Sequence, residues 1–379
     1  MAIIATLSGI ALIMVVLWEV FETIILPRRI TRRFRLTRLF YRSTWIPWVV
    51  MVGRCIPARR QETWLSVFGP LSLLLLLSIW AAALITGFAL LHWGAGSAVP
   101  IHGSGSTGLL TDFYLSGTTF FTLGLGDVVP GSTTARLLVV IESGMGFAFL
   151  ALVISYLPAL NQSFSSREIS VSLLDARAGS PPTASEMLRR HSYAQGMDAL
   201  RQLLHEWEQW SAEFLEGHLS YPVLAYFRSQ HDNQSWLAAL TAILDTCALL
   251  MAGVQGACER QAQLTFAIAR HALVDLSLVF KTKPREPKEN RLSPERLVVL
   301  RDILSTAGIR LEGEEASDLK LTELRWLYEP YVEALAGYFR IPVPPWIGEE
   351  GKVDNWRAST WTMGAPGAVS SEANKGMHF

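Results

Sequence analysis

Between Trp64 and Trp93 the chain has no charged residue from Leu65 to Leu91. As a helix this run is about 40 Å long at ~1.5 Å per residue, against a hydrocarbon core of about 30 Å. A chain carrying such a run is expected to cross a lipid bilayer. A second run, Leu137 to Leu160, contains one charge, Glu142. A third, Ile3 to Leu26, holds Glu19 and Glu22 near its far end and is closed by Pro27, Arg28 and Arg29. It is read as a retained span, because it has no basic n-region and no small-x-small cleavage site before the arginines. Composition agrees: 17% of residues are charged, where a typical soluble domain has about 25%.

Charge divides the chain. Lys+Arg 33 and Asp+Glu 33 cancel over the whole, which argues against nucleic acid as a partner. The first 160 residues hold 11 Arg, no Lys and 6 acids, which leaves 22 basic and 27 acidic residues for the remainder. Cys55, Cys247 and Cys258 show no C-x-x-C spacing, so neither a zinc site nor a disulfide framework is expected.

Ten arginines and no acid fall between residues 28 and 60. The arginine bias of short loops puts this segment in the cytoplasm. The N-terminus then lies outside the plasma membrane, and everything after the third span is cytoplasmic. Arg29, Arg32, Arg35 and Arg38 recur at every third position, as in voltage-sensing helices. Their spacers include Thr31, Arg33 and Thr37, however, and no acid-bearing helical bundle precedes them. A membrane-surface segment in which Arg28, Arg29, Arg32, Arg33, Arg35 and Arg38 meet anionic headgroups is favoured. The apolar run Trp45 to Gly53, containing Pro47, is too short to span.

From Thr111 to Pro130 the chain reads TDFYLSGTTFFTLGLGDVVP. Residues 112–121 suit about three helical turns, with an N-terminus that Thr111 or Asp112 can cap. That helix and the strand-like stretch after it are together too short to cross and return unless they enter the membrane as a re-entrant loop, which is tolerated only where protein or a water path surrounds it. In Thr122-Leu123-Gly124-Leu125-Gly126-Asp127, glycines at alternate positions permit positive φ. Successive carbonyls can then face one side, and four copies around an axis can replace the hydration shell of an alkali cation.

These residues resemble the potassium channel pore domain. Thr122 to Asp127 is similar to the family's T-V-G-Y-G-D filter, and TLGLGDVVPG looks like the second pore of two-pore-domain channels. The resemblance covers 64–160 and implies a homotetramer conducting K⁺. It implies that Thr122 supplies a hydroxyl and a carbonyl, that Leu123, Gly124 and Leu125 supply carbonyls, that Gly126 allows the turn, and that Asp127 lies at the outer mouth. It places an inner-helix gating hinge at Gly146, with Gly144 its competitor. Two departures remove bracing around the filter: Leu125 has no hydroxyl, and Phe121 stands where the family usually has Thr. Glu142 lies inside the third span, where a charge is expensive. Two readings stay open for it, a pH-sensitive or filter-supporting group bonded to Thr118 or Thr119, and a hydrated glutamate near the outer interface.

Beyond Asn161 the pattern is that of a soluble helical domain. Helices are expected over 184–219, 233–255, 257–280, 294–307 and 317–340, with a charged Pro-containing linker, KTKPREPKENRLSP, before the fourth. No strand followed by G-x-G-x-x-G occurs. Arg228, His231 and Asp232 open one helix, while His271 and Asp275 share a face at i, i+4, a spacing open to a metal if Asp245 faces them. Satisfied polar groups in a bundle are the favoured reading.

The expected fold is therefore all-α. An N-terminal span (1–27) precedes the arginine-rich interfacial segment (28–63). The pore domain (64–160) comprises an outer helix 65–92, a pore helix 112–121, the filter 122–127 and an inner helix 137–158. Beyond it come a linker (161–183), a helical regulatory domain (184–347) and a tail (348–379). The expected function is a non-enzymatic, homotetrameric potassium channel in membrane lipid. It needs no cofactor beyond permeant K⁺, and its cytoplasmic domain takes an unknown ligand. The alternatives are a weakly selective monovalent cation channel, or a membrane-anchored sensor or enzyme on a non-conducting pore scaffold.

Overall fold

The computed structural model describes residues 1–26, 35–96, 98–100, 108–230, 233–254, 258–311 and 314–348. Arg28, Arg29, Arg32, Arg33, His231, Asp232 and the tail beyond 348 lie outside these residues. The chain divides into two units, Met1–Gln162 and Ser163–Phe379.

The first unit begins with α1 (Ala2–Val20), which continues as a π-helical turn, Phe21–Ile25. It lies along α3 (Ala58–Ala95). Glycines permit the approach: a Cβ on Gly9 would come within 2.6 Å of the Gly87 carbonyl, and one on Gly87 within 2.6 Å of Ile13 Cγ1. Small residues let apolar helices pack backbone to backbone where lipid supplies no hydrophobic drive. The first span thus packs on the outer helix of its own chain.

The two acids near the end of α1 have partners. Glu19 accepts hydrogen bonds from the backbone N–H groups of Leu36 and Thr37, both at 3.1 Å, and from Thr37 Oγ1 at 2.8 Å. It therefore supplies the acceptor that the start of α2 (Leu36–Cys55) lacks locally. Trp18 Nε1 donates to Glu22 Oε1 at 2.7 Å. The Trp45 to Gly53 run is the later part of this 20-residue helix, with Pro47 inside it. Trp45 is buried edge-on against Phe68 of α3, their rings 4.8 Å apart.

The outer helix is longer than expected, because Pro57 opens it and no glycine in a turn conformation intervenes before Gly96, which takes φ +61°. The all-α expectation also gains a two-stranded antiparallel ribbon. β1 (Ala98–Pro100) pairs with β2 (Val128–Pro130), with Val99 opposite Val129. Between them lies α4 (Leu109–Phe120), the expected pore helix.

The inner helix departs most from expectation. α5 runs from Thr133 to Ala178 and carries Pro158 within it. Past Pro158 the sequence has no Gly or Pro until Gly179, which ends the helix in the left-handed region at φ +86°. Most of the expected linker 161–183 is therefore helix.

In the second unit, α8 (Trp236–Ala252) is buried along almost its whole length. Around it pack α6 (Ala184–Arg190), α7 (Gly196–Ser220), α9 (Glu259–Phe280), α11 (Glu314–Trp326) and α12 (Glu329–Phe339). α10 (Pro294–Thr306) packs on α6. The expected helix 184–219 breaks before Gly196, where any Cβ would collide with the His191 carbonyl. The expected helix 317–340 breaks where Pro330 starts α12. α1 with its π turn, α3, α5 and α9 are long and apolar enough to cross a membrane.

Asp245 on α8 does not face His271 and Asp275. It accepts from Arg291, out of the charged linker, and from the Tyr328 hydroxyl, which lies 2.5 Å from Oδ1. Arg291 and Arg325 each lie over the ring of Trp346, at 5.7 and 5.6 Å, and Arg291 also donates to the Pro344 carbonyl at 2.8 Å. This fastens residues 341–348 to the bundle.

Two outcomes test this description. Glu19→Ala is expected to lower stability in detergent by about 1–2 kcal/mol, the worth of a helix cap, read by thermal unfolding. His218 on α7 is buried against Phe214 and Trp236. Burial, and then the Arg167 guanidinium nearby, push its imidazole down to about 3. The unfolded chain takes up that proton below a pKa of about 6.5, so stability is expected to fall as pH drops from about 6.5 toward 3. A His218→Gln chain should show a flatter pH–stability profile over that window.

Candidate ion pathway

The site is built on α4. Its buried positions are Asp112, Leu115, Ser116, Thr119 and Phe120, an i, i+3, i+4 stripe that faces the surrounding chain. After Phe120 the backbone turns sharply but stays tied to the helix it leaves. Thr122 N donates to the Thr119 carbonyl at 3.0 Å, and Leu123 N to the Thr118 carbonyl at 2.7 Å. Carbonyls at a helix C-terminus lack intrahelical donors, and here the segment just beyond the helix supplies them.

In that segment Thr122, Gly124 and Gly126 take φ of +56°, +54° and +79°, whereas Leu123 and Leu125 do not take positive φ. The glycines carry the alternation as expected. Thr122 carries it too, at a cost glycine would not incur. Leu123 and Leu125 are 63% and 65% exposed, so no described residue covers their side chains. At its end Asp127 is held by Tyr114 of α4, whose hydroxyl donates to Oδ2 at 2.9 Å. The segment is thereby pinned to α4 at both ends.

α5 crosses the back of α4. A Cβ on Gly146 would collide with the Phe120 carbonyl, so only glycine permits this crossing. Gly144 has open space around it. The two candidate hinge glycines therefore differ: one is a packing seat, the other is exposed.

Glu142 is fully buried, which overturns the hydrated reading. It meets neither Thr118 nor Thr119. Thr118 lies off the buried stripe and turns its hydroxyl back onto the carbonyls of Tyr114 and Leu115, each at 3.0 Å; its tie to Leu123 runs through its own carbonyl. Glu142 instead bonds Ser116 on α4 and His92 on α3, the latter at 3.1 Å. His92, Ser116 and Tyr114 are site residues that sequence reasoning missed.

The remaining expected sites are local. Arg35 flanks the start of α2 and Arg38 lies in its first turn. His271 Nε2 lies 3.3 Å from Asp275 Oδ2, and among the described residues no group of three His, Cys, Asp or Glu side chains could hold a metal. Arg228 donates to the Phe339 carbonyl at 2.5 Å.

Residues 74–162 match the profile of a family described as "Ion channel". The chain is also 26% identical over 186 residues to a protein of Bacillus subtilis (strain 168) named "Uncharacterized membrane protein YdjJ". That alignment covers 48% of this chain and 52% of the relative, so the chain spans about half of that protein's length. No solved structure matches. These similarities and the apolar helices support a multi-pass membrane protein with a channel pore domain over the matched stretch.

The two glycines give a direct contrast. Gly146→Ala is expected to force α5 away from α4 and lower stability by about 1–3 kcal/mol, while Gly144→Ala, with open space at its Cβ inside a helix, should not lower the melting temperature.

Proposed function

We propose that four copies of this chain assemble around one axis into a potassium channel of the plasma membrane. The observation that carries this reading is the alternation of positive φ at Thr122, Gly124 and Gly126, on an uncovered segment fastened to the end of α4. Four such segments would stack rings of carbonyl oxygens that replace the hydration shell of K⁺. The apolar side chains left exposed along α5, such as Leu137 at 62%, Val140 at 68%, Phe147 at 71% and Ile154 at 63%, favour further copies and lipid as their cover.

The spans are α1, α3 and the first part of α5, with α4 re-entrant from outside. α9 stays in the cytoplasmic domain, since it packs against α7, α8 and α12 and buries Asp275. The N-terminus lies outside, and the arginines of 28–60 meet anionic headgroups at the inner face. A ligand of the helical domain gates the pore through residues 161–178, which belong to the same helix as the inner span.

A weakly selective monovalent cation pore is the second reading, favoured by Leu125, whose side chain has no hydroxyl to brace the filter. Purified protein in liposomes, under opposed K⁺ and Na⁺ gradients, tests both. The reversal potential is expected near the K⁺ equilibrium value, and Gly124→Asp should abolish the current. A reversal potential midway between the two ions would favour the weakly selective pore. Absence of wild-type current, or a current indifferent to Gly124→Asp, would overturn the channel reading.

A further inference from the structure

The lower part of α5, within the second unit, leaves two large apolar side chains in the open. Ile169 is 58% exposed and Leu173 is 65% exposed. The helix around them carries Ser165, Ser166, Glu168, Ser172, Asp175 and Arg177, a composition too polar for lipid to be their cover. The residues three and four positions from Ile169, its neighbours on the helix surface, are Ser165, Ser166, Ser172 and Leu173. Three small side chains thus leave Ile169 as a projecting knob and let another backbone come close beside it.

Along this ridge α5 and α7 form an open notch of about 50 Å³, walled by Leu174 and Arg177 of α5 and by Leu203, Glu206 and Trp207 of α7. Sites for free small molecules run to about 300–1,000 Å³, so the notch is the size of one side chain. Its cation and its acid stand on opposite walls and cancel. The occupant that suits it is therefore uncharged and aliphatic, and the face of α5 that carries Ile169, from Ser165 through Ser172 to Ala176, has no charge.

Ile169 does not line its own notch. Successive residues of a helix are rotated by about 100°, so Ser170, which does line it, lies that far round α5 from Ile169. Helices at the corners of a square each meet two neighbours in directions about 90° apart, the geometry of a closed four-fold ring. Knob and notch are set for that ring.

We infer that Ile169 of each copy seats in the notch between α5 and α7 of the next copy, in a ring of four identical contacts. The two surfaces that meet are different, as in any ring closed by rotation. Leu173, which lies between knob and notch around the helix, turns toward the common axis. Each α5 is then held on one side by its own α7 and on the other by the α7 of a neighbour. This contact rests on the proposed four-fold assembly, and it continues along the same helix the contact between copies proposed for its earlier residues.

Cysteine crosslinking of the full chain in the membrane tests the ring. Cys55 is exposed while Cys247 and Cys258 are buried, so a C55S background removes the reactive thiol. Ile169 and Glu206 are both exposed, and replacing them leaves the packed core alone. A short bismaleimide is expected to convert I169C/E206C into a ladder that ends at a covalent tetramer on a denaturing gel, because each copy is linked to two neighbours. I169C alone, E206C alone and I169C/E216C, whose second thiol lies about 15 Å further along α7, are expected to stay monomeric. Monomers only from I169C/E206C, a link confined to one chain, or an equal ladder from I169C/E216C would overturn the contact. Dimers from a single-cysteine variant would also overturn it, since they mark a two-fold pairing of like surfaces. Current in liposomes is read separately. A ladder in a protein that passes no current leaves the contact standing and sinks only the channel reading, whereas K⁺ current without the ladder sinks only the contact.

Discussion

A re-entrant helix at membrane depth must have every backbone polar group and every buried side chain satisfied by protein, because lipid offers no partners. The re-entrant place proposed for α4 depends on this constraint. Its C-terminal carbonyls receive the N–H groups of Thr122 and Leu123, its buried Ser116 reaches both neighbouring helices, and Phe120 sits where only Gly146 can pass. Tyr114 then reaches forward to Asp127 and closes the loop on itself. The exposed segment between these anchors therefore keeps a backbone conformation that its own side chains do not stabilise.

The second unit solves a different problem. Its central helix α8 is apolar except for Asp245, Thr241 and Thr246, each of which is bonded. Burying Asp245 is compensated by Arg291 and Tyr328 together, and the same arginine holds the chain at Pro344. Within this unit Arg167, on the lower part of α5, donates to the carbonyls of Leu224 at 2.8 Å and Phe227 at 2.9 Å. A buried guanidinium bonded to backbone carbonyls in this way fixes the end of that helix to the turn Pro222–Tyr226.

The long apolar helices, the short helix α4 and the positive-φ alternation after it were legible in the sequence because each leaves a local mark: an uncharged run of sufficient length, an apolar segment with an acid in its first turn, glycines at alternate positions. Partners were not legible. Nothing in the spacing of His92, Ser116 and Glu142, which lie on three different elements, announces that they meet. Glu142 was visible as an anomaly, but its partner depends on which stripe of α4 is buried. Pro158 misled in the opposite direction, since a proline inside a helix removes one hydrogen bond without ending it when no glycine comes after it. The role of Glu19 as a cap for α2 likewise spans a sequence gap that local capping rules do not cover.

The central claim is that Thr122 to Gly126 from four chains form one ion-lined axis. Diffraction or cryo-electron microscopy of the purified protein in thallium salt tests it most directly, since Tl⁺ substitutes for K⁺ and is electron-dense. The account predicts a four-fold assembly with a file of ion density on the axis between the carbonyls of Thr122 and Gly126. A monomeric particle, or a tetramer whose axis holds no ion at these carbonyls, would contradict it.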